Sequence, residues 1–167
     1  MKHINRYTLG VIAALAVAGC GSQVAPTGGA SQSSAPATHG KSWMLPEAKG
    51  EDLIYATGGC GGTCVLSYPQ GKVVGALDTS GSSVCADSSG NIFIPQVDEV
   101  FEYAHGGASP IATLSLPGNK YTRGCAVDPS TGNLAVVTGE AVAIFSGAQG
   151  QATVYGAYLT TTYCSYG

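Results

Sequence analysis

The sequence has 167 residues, of which 44% are hydrophobic and only 10% charged, and its formal net charge at pH 7 is −3. Such a length leaves room for little more than one domain, and a weakly acidic chain without a basic patch interleaved with aromatics argues against nucleic acid as a partner. Glycine is abundant, with 25 residues, and beyond the first twenty positions no stretch keeps a helical period, so the pattern expected is one of short strands and turns.

The N-terminus stands apart from that pattern. Lys2 and Arg6 precede an apolar run from Leu9 to Ala18, broken by Gly10. Ten residues are too few for a membrane-spanning helix, which needs about 20, and the small residues of Val17-Ala18-Gly19-Cys20 complete the layout of a cleaved signal peptide. "VAGC" resembles the lipobox of bacterial lipoproteins. The resemblance implies that residues 1–19 are a helical signal peptide and that Cys20 carries diacylglycerol at the head of the mature chain. It places the protein in the bacterial cell envelope, extracytoplasmic and lipid-anchored, with the choice of inner or outer membrane open. Two or three acyl chains suffice for such an anchor, since each buried CH₂ contributes about 0.8 kcal/mol.

Residues 20–49 then read as a tether of Gly, Ser, Ala, Pro and Thr, too poor in large apolar side chains to offset their ordering entropy, with Trp43 and Met44 marking where packing begins. Without Lys2 and Arg6, five basic residues face ten acidic ones, a net −5.

From residue 50 the chain repeats itself. One line starts at Asp52, the next at Asn91 and the third at Asn133, and Cys85, Cys125 and Cys164 follow one another at intervals of 40 and 39 residues. Each line opens with an apolar strand ("LIYA", "IFI", "LAVV"), continues with a second ("CVLSY", "EVFEY", "AVAIF"), turns at Gly71, Gly107 or Gly150, and adds a third ("KVVGAL", "PIATLSL", "ATVYGAY"). It closes on "SVCAD", "GCAVD" or "YCS". Four strands per ~40 residues is the unit of a β-propeller blade. The expected fold is therefore all-β: an incomplete propeller of about two and a half to three four-stranded antiparallel blades over residues 50–167. In the turns "DSSGN" and "DPSTGN", Gly90 and Gly132 supply a positive φ, and Asp87 and Asp128 hydrogen-bond the backbone two residues on.

"GCAVDPSTGNLAVV" resembles the repeat phrase of NHL-type propellers and their gluconolactonase-like relatives. It is similar also to a set of bacterial lipoproteins with an outer hairpin matched here by "YPQGKVVGAL", Tyr68 to Leu77. The likeness spans Asp52 to the end. It implies a propeller that serves as a binding scaffold, or a lactonase-type hydrolase with an axial metal held by Glu, Asn and Asp from several blades. No residue of this chain matches that metal set. Closed propellers have four to eight blades, whereas this sequence stops at "YCSYG", where the pattern calls for Asp and a further strand. It reads as a fragment of a longer array, or else as a chain that pairs with its own copies through open blade faces.

Candidate chemistry is sparse. Cys60 and Cys64 flank a Gly-Gly hairpin turn, where a local disulfide, free thiols or a metal are each open, the first favoured by export. Cys85, Cys125 and Cys164 recur at what reads as one structural position and are expected to be inert core thiols. Sheets packed ~10 Å apart would keep them beyond the ~7 Å Cα separation that a disulfide tolerates. Asp98, Glu99 and Glu102 read as a solvated edge, His105 as a turn residue without a nucleophilic partner, and Tyr68, Tyr103 and Phe145 as equivalent core residues. No catalytic residue, metal ligand or cofactor is assigned. The function expected is a membrane-anchored binding or scaffold module for a protein or small-molecule ligand; the alternative is the N-terminal part of a metal-dependent lactonase or esterase.

Overall fold

The computed structural model describes residues 41–118, 121–156 and 164–166. The expected signal peptide, Cys20 and most of the expected tether lie outside the described residues.

Twelve strands run β1 (Trp43–Met44), β2 (Asp52–Gly59), β3 (Gly62–Tyr68), β4 (Val73–Leu77), β5 (Cys85–Ala86), β6 (Ile92–Pro95), β7 (Glu99–Tyr103), β8 (Pro110–Ser115), β9 (Thr122–Val127), β10 (Leu134–Thr138), β11 (Val142–Phe145) and β12 (Thr153–Tyr155). They form three four-stranded sheets of antiparallel pairs, ordered β1-β4-β3-β2, β5-β6-β7-β8 and β9-β10-β11-β12.

Each second-strand hairpin follows from local chemistry. The Asp87 carboxylate accepts from the backbone N–H groups of Ser89 (2.8 Å) and Asn91 (2.9 Å), and Gly90 takes φ +82°, a conformation that costs glycine little. Asp128 repeats the device one residue longer. It accepts from Ser130 N and from the hydroxyls of Ser130 and Thr131, with Gly132 at φ +71°. These turns return β5 onto β6 and β9 onto β10.

Strand alternation sends side chains to two faces, and two apolar clusters fill the spaces between successive sheets. The first joins Val65, Val74 and Leu77 with Ile92, Ile94 and Tyr103. The second joins Phe93, Val100 and Leu114 with Leu134, Val136, Ala143 and Phe145. Thus β6 serves both, Ile92 and Ile94 on one side and Phe93 on the other. A strand buried on both faces reads as a continuous apolar run, as "IFI" does.

Two expectations need correction. The fold begins before residue 50. β1 pairs with β4 through Trp43↔Ala76 and Met44↔Gly75, the Ser42 hydroxyl donates to Asp78 at 2.7 Å, and Ala48, in the 3₁₀ turn Pro46–Gly50, is fully buried. Trp43 and Met44 mark this start in the sequence; what composition does not show is the segment's partners, which lie more than thirty positions away. Second, Tyr68 is not a core residue. Tyr103 and Phe145 are 1% and 0% exposed, but Tyr68 is 58% exposed. The three occupy one register position, opposite Ile92, Leu134 and Asp52 respectively. Among the described residues, Tyr68 alone of the three has no sheet in front of it.

Candidate functional site

The loop from β4 to β5 crosses between sheets and is pinned at almost every step. Thr63 Oγ1 donates to the Thr79 carbonyl at 2.7 Å, and the Thr79 hydroxyl meets Tyr103 Oη at 2.6 Å, both buried. Burial pushes the Tyr103 phenol above its usual range, the bond to Thr79 opposing. Gln96 Nε2 donates to the Ser80 carbonyl at 3.1 Å. A side chain at Gly81 would stand 2.5 Å from the Pro95 carbonyl oxygen and 2.6 Å from Ile94 Cγ2, so only glycine fits. The Ser82 and Thr122 hydroxyls meet at 2.9 Å.

This pinned loop walls a cleft of about 280 Å³ lined by Ser80, Gly81, Ser82, Gln96, Val97, Tyr121 and Thr122. Its chemistry is uncharged and part apolar: the hydroxyls of Ser80, Ser82 and Thr122, the Gln96 carboxamide, Val97, which is 41% exposed, and Tyr121, which is 79% exposed. Hydroxyls and amides both donate and accept, and an exposed aromatic offers an apolar face with a polar tip. Such a lining suits an uncharged, hydroxyl-bearing molecule better than an ion.

Beside the cleft run the inner strands, where the cysteines are. Cys85 and Cys125 are joined by a disulfide, with Cα atoms 5.8 Å apart, which corrects the expectation of inert core thiols at those two positions. Cys85 stands two residues before Asp87, Cys125 three before Asp128. A shift of one residue turns a strand side chain to the opposite face. Cys85, opposite Phe93, therefore looks toward the third sheet, and Cys125, opposite Val136, looks back toward the second. The ~10 Å spacing of packed sheets does not hold at the inner strands, which approach far more closely. Cys164 is a free thiol; it donates to the Ala135 carbonyl at 3.8 Å, and burial raises its pKa.

Cys60 and Cys64 form a disulfide across the β2–β3 hairpin, Cα atoms 5.2 Å apart. Gly59 makes room for it, since a Cβ there would lie 2.9 Å from Cys64 Sγ, and Gly62 makes room for the end of β4, since a Cβ there would clash with the Leu77 carbonyl oxygen.

The other residues singled out in the sequence do not converge. Asp87 and Asp128 hold their turns, and the hydrogen bonds from the Thr131 and Ser130 hydroxyls lower the Asp128 pKa to about 2. Asp87 also accepts from Asn91 Nδ2 at 2.9 Å. Burial, and then the nearby Asp87 charge, raise the Glu102 pKa, while Asp98 and Glu99 engage neighbours through their backbone carbonyls. His105 Nε2 lies 3.0 Å from the Glu51 carbonyl oxygen, and its ring packs on Gly90, where a Cβ would be 3.0 Å from Nδ1. Among the described residues no three His, Cys, Asp or Glu side chains are placed to share a metal ion.

Sequence reasoning missed the cleft. Ser80 to Ser82 look like an ordinary polar connection, and Tyr121 belongs to no repeated phrase; their grouping depends on the crossing between sheets. Neither a protein-family model nor a curated protein matches this chain.

Proposed function

We propose that the three sheets are consecutive blades of an NHL-like propeller, and that the chain is a binding module tethered to a bacterial envelope membrane through acylated Cys20. The observation that carries the binding role is the neutral, pinned cleft between the second and third sheets, with Tyr121 at its mouth. Preformed clefts with a few fixed polar groups are the usual form of small-molecule sites. Here the fixed groups are hydroxyls and an amide, and the ligand class is an uncharged polyol or sugar. The alternative reading is the N-terminal part of a metal-dependent lactonase or esterase.

Two measurements test the proposal. Cys20→Ser should move the protein from the membrane to the soluble fraction; persistence on membranes would remove the anchor. A panel of neutral oligosaccharides, followed by chemical-shift changes at Tyr121, Gln96 and Ser82, should show at least one saturable binder that Tyr121→Ala weakens tenfold or more. Saturable binding that Tyr121→Ala leaves unchanged would place the ligand elsewhere.

A further inference from the structure

We infer that the Cys85–Cys125 disulfide is a redox clamp on the cleft. The oxidised pair holds the two walls in place for a neutral ligand, and the reduced pair lets them part. The inference rests on the reading of the cleft as a binding site and adds what controls it.

The two walls belong to different sheets. Ser80, Gly81 and Ser82 lead into β5, and Gln96 and Val97 follow β6, all on the second sheet, whereas Tyr121 and Thr122 stand at the start of β9 on the third. The second-sheet wall is fixed within itself, by the bond from Gln96 to the Ser80 carbonyl and by the close fit of Gly81 against Pro95 and Ile94. The third-sheet wall has less to hold it. Tyr121 precedes β9, and Thr122 pairs with Thr138 only beyond a register shift at Val137/Thr138. The width of the cleft is therefore set by what ties the start of β9 to the loop between β4 and β5.

Two of those ties are hydrogen bonds. The Ser82 and Thr122 hydroxyls meet at 2.9 Å, and the Ser83 hydroxyl donates to Cys125 Sγ at 3.7 Å. Both are only part-buried, so water competes for the same groups. The other tie is covalent. Cys85 stands three residues after Ser82, and Cys125 three after Thr122, so each wall is within about 10 Å of chain from the disulfide. A covalent bond that close leaves the hydroxyl pair little freedom to separate.

The gap between the first and second sheets is held differently. Val84 stands three residues before Asp87, as Cys125 stands three before Asp128, and it packs on the apolar cluster that fills that gap. An aliphatic side chain thus serves at this position to stack one sheet on the next. Stacking alone does not call for a disulfide, and the covalent bond occurs where the residues beside it line a cleft.

Neither cysteine is fully buried, so both are open to thiol–disulfide exchange. In a reducing compartment they are thiols. After export, one cysteine thiolate attacks the disulfide of an extracytoplasmic donor and releases one donor thiol. The second cysteine then displaces the donor's other sulfur, so the pair gives up two electrons and two protons and the donor leaves as a dithiol. A dithiol reductant reverses both steps. The cleft is thus completed in the oxidising compartment, and its affinity scales with the fraction of chains whose walls are held in place.

The test uses the full chain in detergent, carrying Cys60→Ser and Cys64→Ser so that dithiothreitol acts on one disulfide. On reduction the nuclear Overhauser contact between the Ser82 and Thr122 side chains should vanish. Amide exchange at Thr122 should rise tenfold or more, while the amides of β6 and β10 stay protected; reoxidation should reverse both changes. Any neutral oligosaccharide of the panel that binds the oxidised chain should bind the reduced one at least tenfold more weakly. Cys85→Ala with Cys125→Val, which copies the valine of the second sheet, should keep the fold and behave as the reduced chain does. An Overhauser contact and an exchange rate that reduction leaves unchanged overturn the clamp, as does equal binding by the two redox forms. Lost protection of β6 and β10, in the reduced chain and in the Ala/Val variant alike, also overturns it, since the disulfide would then hold the fold rather than the cleft. If no oligosaccharide binds the oxidised chain and the walls still part on reduction, the ligand class fails and the clamp stands.

Discussion

The first sheet and the two that follow are built from the same repeat but live in different surroundings. β6 and β10 are paired on both edges and buried on both faces. β2 alternates between exposed and half-buried positions along its whole length. The sequences "LIYA", "IFI" and "LAVV" do not announce this difference. Burial in a stacked array belongs to the neighbours of a sheet as much as to the sheet itself, so equivalent residues can differ in exposure by half their surface. Other devices hold the first sheet. Its hairpin is closed by Cys60–Cys64, and β1 is added to its outer edge.

Substitutions at equivalent positions should break or sharpen that contrast. The largest effect is expected at Tyr103. Its truncation to Ala removes a fully buried ring and orphans the Thr79 hydroxyl, for a loss of roughly 3–5 kcal/mol. Tyr68→Ala, at a ring that is 58% exposed, should stay within about 0.5 kcal/mol. Urea midpoints of the two variants measure the contrast, and equal losses would mean that Tyr68 is covered in solution.

Next come the disulfides. Cys85–Cys125 closes a loop of about 40 residues and Cys60–Cys64 one of about five, so chain entropy predicts losses of about 4 and about 2 kcal/mol when each pair is replaced by Ala. Thermal melts without reductant would rank them. If the hairpin pair proved the more stabilising, the inter-sheet link would not be the stronger constraint.

Thr79→Val tests the buried hydroxyl pair that ties the first crossing loop to the second sheet. It should cost about 1–3 kcal/mol, since Tyr103 Oη would be left buried without its partner. Thr79→Ser should restore most of the loss; a Val variant as stable as the parent would show that the bond holds nothing.

The smallest effect is electrostatic. Asp128 titrates near 2 in the folded chain, below its ordinary 3.8. Its contribution to stability is therefore complete above the ordinary carboxylate pKa and is lost as pH falls through about 2. A carboxyl carbon titration by NMR should give that low midpoint, and Thr131→Val should raise it. An unchanged midpoint would mean that the Thr131 hydroxyl is not what lowers it.

Much of this protein is written in its sequence, and the reason is local. Strand and turn identity follow from alternation, from Asp side chains two residues from the N–H groups they accept, and from glycines that reach positive φ. Gly90 and Gly132 could be named from the phrase alone, and so could the count of four strands per repeat. Relations between repeats were decided only by the tertiary structure. Cys85 and Cys125 share a spacing of 40 residues, yet it is their one-residue offset from the following Asp that turns them face to face, and that offset matters only once the inner strands stand side by side. Tyr68 and Tyr103 share a register, and only the presence or absence of a sheet in front separates them. Ser80, Gln96 and Tyr121 share nothing in the sequence; a crossing loop held between two sheets brings them together. Hydrogen-bonding reach within a turn is set by neighbours in the chain, whereas burial, cross-sheet bonds and the cleft are set by which surfaces meet.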